Sequence, residues 1–421
     1  MKTERIFITG CGGMLGNAVY PYFRTWYNQV LATDKDVNEE WLEKLDVRDE
    51  AALQQVFTNF RPDVVLHLAA ETDLEFCETH PDISTAVNDV ATERIARLCA
   101  KHGSTMVYIS TAGVFDGNKS GFYTEDDHPC PLMVYGDTKC AGEQHTKRLC
   151  PRSFVVRAGW MMGGGRRKEK KFIYKILQQI KDGSKEIFAV SDKWGTPTYT
   201  YDFAMNLFLL LATGRYGTYH MVCEGMGTRF DVAREILHVC ERSDINLTPV
   251  NSDFFAKEYF APRPFSEMMT NKNLFELGIN CMRPWQDALR DYIENHFADY
   301  IRGGKAPSSP FRRHDHHTSS VPYDNERRQG QRNSYTATVE YNSVCGTRTS
   351  GTKRQACSKA IAINFSNSGV CLYMFEPPSK GTCLELTLHN NVGTPETKNA
   401  TILWTQKEQN GLYKAGLMFQ Q

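Results

Sequence analysis

The sequence predicts a doubly wound parallel α/β sheet with a small substrate lobe, followed by a small antiparallel β-barrel. Three observations predict it. Short Val/Ile-rich runs (Ile6 to Ile8, Val64 to Leu68, Met106 to Ile109, Phe154 to Val156) alternate with longer helical stretches such as Thr92 to Lys101, the rhythm of βαβ units. Around residues 301–322 the pattern gives way to Gly303-Gly304, Pro307-Ser308-Ser309-Pro310 and a His-rich run, which cannot bury enough apolar surface to order itself. Beyond that point Thr336 to Tyr341, Ala360 to Asn364, Val370 to Phe375, Thr382 to Leu388, Thr401 to Trp404 and Tyr413 to Phe419 read as short strands between Gly/Asn turns. The expected domains are residues 1–300 and 323–421, joined by a linker at 301–322.

Composition sets the class. In 421 residues, 41% are hydrophobic and 23% charged, the balance of globular rather than fibrous or disordered chains. Thirteen cysteines without a Cys-x-x-Cys pair argue for reduced thiols, and no zinc framework is expected. The trio His314, His316 and His317 lies in the linker, where no fixed geometry holds a metal, so none is expected. Arg5-Ile6-Phe7-Ile8 reads as a buried strand rather than a leader, and the longest apolar stretch, Phe203 to Ala212, is a core helix too short for a bilayer. A cytoplasmic protein with no membrane span and no nucleic-acid partner is expected. Formal charge is zero overall, but residues 305–421 carry 14 basic against 8 acidic side chains, so the tail favours an anionic ligand.

Thr9-Gly10-Cys11-Gly12-Gly13-Met14-Leu15-Gly16 follows the first strand and opens a helix, the context of a Rossmann-type dinucleotide turn. Gly10 permits the tight turn, Gly13 lets backbone N–H groups approach a pyrophosphate, and Gly16 lets the helix pack closely on the sheet. Asp34, at the end of the second strand, is placed to accept hydrogen bonds from the adenosine ribose; Lys35 beside it suits a 2′-phosphate, so NADH and NADPH both remain open. Asp46 and Val47 are expected beside the adenine, and Leu68, Ala69 and Ala70 against the pyrophosphate.

Tyr135-Gly136-Asp137-Thr138-Lys139 sets a phenol and an ammonium one helical turn apart, facing the same point. Among 19 tyrosines roughly one such spacing arises by chance, so a third partner is needed. Thr111 supplies it at the carboxyl end of the strand from Met106 to Ser110, where ligands of open α/β sheets gather. Reducing a ketone takes a hydride on carbon and a proton on oxygen. Tyr135 is the proton donor, Lys139 is expected to lower its pKa and hold the nicotinamide ribose, and Thr111 is expected to bond the substrate oxygen.

Further residues carry a resemblance. Val114-Phe115-Asp116-Gly117, Tyr123-Thr124-Glu125-Asp126-Asp127, Ala141-Gly142-Glu143, Arg157 with Trp160, Gly195-Thr196-Pro197-Thr198-Tyr199 with Asp202, Arg263-Pro264 and Arg283-Pro284-Trp285 stand in order with the triad over about residues 1–300. This stretch resembles the extended short-chain dehydrogenases, and most closely the dTDP-4-dehydrorhamnose reductases. The resemblance implies hydride delivery to C4 of a 4-keto hexose on a nucleoside diphosphate, with Trp160, Arg263, Thr198 and Tyr199 lining the pocket. The pattern departs at Ala112-Gly113, where the reductases carry Asp-Tyr; this argues against a 4,6-dehydratase and leaves the sugar open. The run Arg166 to Lys171 is either a phosphate grip or a solvated loop. An epimerase that retains its NAD, and a non-catalytic effector, are the competing readings; a homo-oligomer fits any of them.

In the tail, Arg328 and Arg332 precede a strand, and Asn364-Phe365-Ser366-Asn367-Ser368-Gly369 follows a later one. Planar, permanently charged guanidinium groups fork onto phosphates, and Gly369 is expected to supply a backbone bend. With Trp404 and Gly416-Leu417-Met418-Phe419, this is similar to the PilZ family, which implies cyclic di-GMP bound by Arg328, Arg332, Asn364, Ser366 and Gly369. The resemblances together point by association to polysaccharide synthesis.

Overall fold

The computed structural model describes residues 2–301, 333–343, 358–366, 369–374, 379–388, 396–407 and 413–420. Two compact units are present, one of Met1–Leu211 with Arg215–Gly304 and the other within Lys305–Gln421. Of the expected linker, only Ile301 is among the described residues.

The first unit begins β1 (Lys2–Thr9), α1 (Met14–Trp26), β2 (Tyr27–Asp34), β3 (Glu43–Lys44), α2 (Glu50–Asn59), β4 (Val64–His67), α3 (Leu74–Thr79), α4 (Pro81–Thr85), α5 (Ala91–His102), β5 (Thr105–Thr111), α6 (Val134–Leu149) and β6 (Ser153–Ala158). It continues β7 (Trp160–Met162), α7 (Gly165–Lys168), α8 (Phe172–Lys181), β8 (Glu186–Val190), β9 (Trp194–Gly195), β10 (Pro197–Tyr199), α9 (Thr200–Thr213) and β11 (Gly217–His220). It closes with β12 (Gly227–Thr228), α10 (Arg229–Val239), β13 (Asn246–Val250), β14 (Ser266–Glu267), α11 (Lys272–Glu276) and α12 (Trp285–His296).

Seven strands form one parallel sheet in the order β11-β6-β5-β4-β1-β2-β3. The order reverses between β1 and β4, and the crevice beyond their carboxyl ends is where such sheets take ligands. Every residue of β6 is buried, as expected of a strand covered on both faces. Helix α5 covers one face with Ala91, Thr92, Ile95, Ala96 and Cys99 at helical spacing, and ends at Gly103 with φ 68°. These side chains join Phe7, Phe57, Val65, Met106 and Tyr108 in one core. The stretch Phe203 to Ala212 lies in α9, where Phe203, Leu207, Phe208, Leu209 and Leu210 are fully buried. Among the described residues no helix is long and apolar enough to cross a membrane.

Short strand pairs build the second lobe: β10 beside β7, β13 beside β8, and β9 between β12 and β14. Helix α6 packs so tightly on β5 that a Cβ at Gly142 would stand 2.2 Å from the Tyr108 hydroxyl. That close seating fixes the height at which the first turns of α6 meet the end of β5.

The second unit is a closed antiparallel barrel, β15 (Asn333–Ser343), β16 (Ser358–Ser366), β17 (Gly369–Met374), β18 (Cys383–Leu388), β19 (Glu396–Lys407) and β20 (Tyr413–Phe419), in the order β15-β16-β17-β20-β19-β18. Ala360 and Ala362, Leu372 and Met374, Leu384 and Leu386, Ala400 and Ile402, and Ala415 and Leu417 alternate inward to fill it, the two-residue period of strands with one buried face. Arg328 and Arg332 lie outside the described residues. Asn364 pairs with Cys371 along the backbone, and Ser366 with Gly369. Gly369 opens β17 and pairs with Ser366 across the antiparallel β16–β17 pair. A side chain is excluded there because β20 comes too close, its Leu417 carbonyl oxygen 2.1 Å from where a Cβ would sit.

Candidate active site

The glycine turn is held from two sides. Gly10 has φ +65°, and a Cβ on it would stand 2.4 Å from the Ala69 backbone, so the turn after β1 lies directly on the segment after β4. Gly12 N–H donates to Asp34 Oδ2 at 2.9 Å, and the Asp36 N–H donates to Asp34 Oδ1 at 3.1 Å. Asp34 therefore braces the turn from the end of β2. At Gly16 the Cys11 carbonyl oxygen, just beyond the end of β1, stands 2.1 Å from a Cβ position and leaves no room for a side chain. Above Gly13, by contrast, the nearest atom to a Cβ is Gly10 O at 3.6 Å. This open cradle at the start of α1 fits the pyrophosphate of NAD(P)H, which backbone N–H groups and the helix terminus favour.

Thr111 ends β5, where its hydroxyl accepts from Gly113 N–H at 3.1 Å. Burial pushes the phenol of Tyr135, in the first turn of α6, up to about 12, against a smaller lowering influence of the Thr111 side chain. Lys139 is 2% exposed, stands 4.2 Å over the Tyr108 ring, and is pushed down to about 7 by burial, with Glu143 opposing. The expected lowering of the phenol by Lys139 is thus corrected, because desolvation dominates both groups. The consequence suits a reduction, since the phenol stays protonated at neutral pH.

Lys139 also makes a stability prediction. In the unfolded chain it titrates near 10.5 and in the folded chain near 7, so its destabilising contribution grows as pH falls from 10.5 and is complete below 7. Lys139→Met keeps the stem and removes the charge. Thermal unfolding at pH 7 should show a higher midpoint than wild type, with the gain shrinking as pH rises; a lower midpoint contradicts the assignment.

One cavity of about 980 Å³ joins these parts. Gly10, Gly13, Met14 and Leu15 line it from the turn, with Asp34, Asp46 and Val47 from the segments at the ends of β2 and β3 and Leu68, Ala69 and Ala70 from the segment after β4. Thr111, Tyr135 and Lys139 follow, and Trp160 and Arg263 stand on the second lobe. Asp46 is forked by Arg48 at 2.6 Å, and that hydrogen bond lowers its pKa. Gly12 and Gly16 are not among the lining residues.

Thr198 and Tyr199 are corrected as pocket residues. Both are fully buried in β10, away from the cavity wall. Thr198 Oγ1 accepts from Gly159 N–H at 2.9 Å, and Arg283 lies 5.5 Å over the Tyr199 ring, so they hold β7 and α12 in place. The basic run divides: Arg166 pairs with Asp299, Arg167 and Lys168 reach Glu39 at 3.4 and 3.1 Å, and Lys168 and Lys171 line the cavity.

Three residues escaped the sequence reading. Fully buried Asn88 accepts from Glu71 N–H at 2.9 Å and donates to Glu71 O at 3.0 Å and Thr138 Oγ1 at 3.2 Å, tying the segment after β4 to α6. Glu267 accepts from Trp160 Nε1 at 2.7 Å, and burial raises its pKa. Arg229 lies 4.0 Å over the Trp160 ring. No motif marks any of them, since their partners lie in distant segments.

Residues 4–297 match the RmlD substrate binding domain family. A dTDP-4-dehydrorhamnose reductase of Mycobacterium tuberculosis is 31% identical over 293 residues, 68% of this chain and 92% of the relative. The spore coat polysaccharide biosynthesis protein SpsK of Bacillus subtilis is 27% identical over 290 residues, 69% of this chain and 97% of its own length. A Bacillus anthracis dTDP-4-dehydrorhamnose reductase solved in complex with NADP is 30% identical with a TM-score of 0.64, covering 69% of this chain and 99% of that one. With the glycine cradle, the Thr111–Tyr135–Lys139 constellation and this match across the whole first unit, the chain belongs to the RmlD family of sugar-nucleotide oxidoreductases.

Proposed function

We propose that the first unit uses NAD(P)H to reduce the C4 ketone of a nucleoside-diphospho-4-keto-6-deoxy sugar, as its relatives named dTDP-4-dehydrorhamnose reductases do. The observation that carries this reading is the Tyr135 phenol, which lines with Thr111 and Lys139 the same cavity as the glycine cradle. The bound dinucleotide supplies the hydride. Tyr135 gives its proton to the ketone oxygen, Thr111 holds that oxygen in line, and Lys139 anchors the nicotinamide ribose. Trp160, clamped by Glu267, presents an aromatic face to the sugar, and Arg263 is held by Glu75 at 2.7 Å beside it. Purified full-length chain, NADH or NADPH, and a panel of nucleoside-diphospho-4-keto sugars should consume reduced cofactor with at least one sugar. No consumption with any of them contradicts the proposal. Cofactor retained through purification with no net oxidation would favour the epimerase.

The second unit is proposed to be a PilZ-like barrel that binds cyclic di-GMP through Arg328, Arg332, Asn364, Ser366 and Gly369 and thereby regulates the reductase in polysaccharide synthesis. The closed six-stranded barrel and the excess of positive charge in residues 305–421 support the reading, and the relative named for spore coat polysaccharide supports the pathway class. Arg328→Ala or Arg332→Ala should abolish cyclic di-GMP binding in calorimetry while basal turnover persists. Unchanged affinity in both variants contradicts the site.

A further inference from the structure

His67 is a buried titratable group that the hydride chemistry does not use. It ends β4 as the register partner of Thr9 in β1 and of Tyr108 in β5, so three polar side chains stand in a row across neighbouring strands. Phe7, Val65 and Met106, two residues earlier on the same strands, join the apolar core under α5, which places the row on that face of the sheet. The crevice begins one residue above, because Gly10, Leu68 and Ile109 line the cavity. Thr9, Thr92 and Asn88 are fully buried and His67 is 1% exposed. Polar groups at that depth are costly unless each is paired.

The pairing runs in one direction. Thr9 Oγ1 stands 2.8 Å from His67 Nδ1, His67 Nε2 stands 3.0 Å from Thr92 Oγ1, and Thr92 donates to the Asn88 carbonyl at 2.7 Å. Only an imidazole protonated on Nε2 gives all three protons an acceptor among these groups, which fixes the tautomer. Burial, with the charge of Lys139 adding to it, pushes the ring down to about 3, so it is neutral at pH 7. From Asn88, in the π-helical turn Ala86–Val90, the chain goes on into α6: the side-chain amide donates to Thr138 Oγ1 at 3.2 Å, and Thr138 donates to the Tyr135 carbonyl at 3.0 Å. A branch reaches the lysine. The Tyr108 ring lies 5.8 Å from the His67 ring and carries the Lys139 ammonium at 4.2 Å, while its hydroxyl donates to the Lys139 carbonyl at 3.2 Å. Hydride and proton transfer demand one geometry between a dinucleotide seated after β1 and a phenol on α6, and a close-packed polar chain between the two transmits small shifts.

We infer that His67 is a positioning residue: held as a neutral imidazole in one tautomer, it ties Thr9, at the root of the glycine turn, to the backbone of Tyr135 and the seat of Lys139, and so sets the distance from nicotinamide to phenol. The inference rests on the proposed reduction. His67→Phe keeps a ring against Tyr108 and removes both bonds; in the full-length chain it should lower kcat about ten- to a hundredfold, with KM and NADPH affinity within about twofold of wild type. Thr92→Val breaks the same chain one step on and should act alike, and the double variant should lose no more than the worse single one. His67→Gln, with an acceptor and a donor on one amide, should recover most of the loss. Wild-type kcat in Thr92→Val and His67→Phe, or losses that multiply in the double variant, overturn the proposal; if His67→Phe does not fold, Thr92→Val decides alone. Nitrogen NMR of the ring at pH 7 gives a reading free of turnover: Nε2 should carry the proton, and a proton on Nδ1 overturns the proposal. Wild-type chain that reduces no keto sugar while its ring shows the expected tautomer sinks the reductase reading alone; active wild type with unaffected variants sinks this one alone.

Discussion

Tyr135→Phe should lower kcat for keto-sugar reduction by about a hundred- to ten-thousandfold, the usual contribution of a positioned acid. The ring stays, so its packing in the first turn of α6 and the cradle for the dinucleotide are preserved. Only the proton is lost. Burial pushes the wild-type phenol up to about 12, which keeps it in the donating form at neutral pH, and the phenylalanine variant removes the group that protonates the developing alkoxide while Thr111 still hydrogen-bonds it. NADPH affinity, measured by calorimetry, should match wild type, and kcat should fall without a comparable rise in KM. A variant that retains kcat would remove Tyr135 from the proton path.

The largest stability effect is expected beneath the site. Arg157 and Glu143 are each about 1% exposed, paired at 2.7 Å, with Ser110 donating to Glu143 at 2.6 Å and His220 3.4 Å from Arg157. Arg157→Leu strands a carboxylate in the core and should cost about 3–5 kcal/mol, read as a lower denaturant midpoint. The pH dependence gives a second check. Burial alone would raise the Glu143 pKa, but hydrogen bonding and charge from Arg157 outweigh it and hold the group below 4.5. Its contribution is therefore present above pH 4.5 and lost as pH falls through the depressed folded value. In Arg157→Leu the carboxyl protonates earlier, so the gap from wild type should narrow in acid. A gap that widens there would contradict the pairing.

These groups differ in how legible they were. The turn from Gly10 to Gly16 and the Tyr135–Lys139 step are local spacings, and Thr111 ends a recognisable strand, so chain order alone brought them together. Barrel strands were readable as short runs between Gly/Asn turns, and the alternation of their inward residues came from the structure. Asn88, Glu267 and Arg229 were not readable, because each gains its meaning from a partner in a distant segment. Thr198 and Tyr199 sit in a motif whose resemblance placed them in the pocket, whereas β10 turns them into the core beneath it. The Tyr135 shift was misjudged for a physical reason: neighbouring charge is visible as spacing, but desolvation depends on everything packed around the group.

The central claim is that the Tyr135 hydroxyl addresses a ketone beside a nicotinamide seated in the Gly10–Gly16 cradle. A crystal structure of the chain with NADP and a dTDP-sugar tests it most directly. The account predicts the pyrophosphate over Gly13, Lys139 on the nicotinamide ribose, and the hydroxyls of Tyr135 and Thr111 both within hydrogen-bonding distance of the sugar O4. A dinucleotide bound elsewhere, or a phenol turned away from that oxygen, would contradict it.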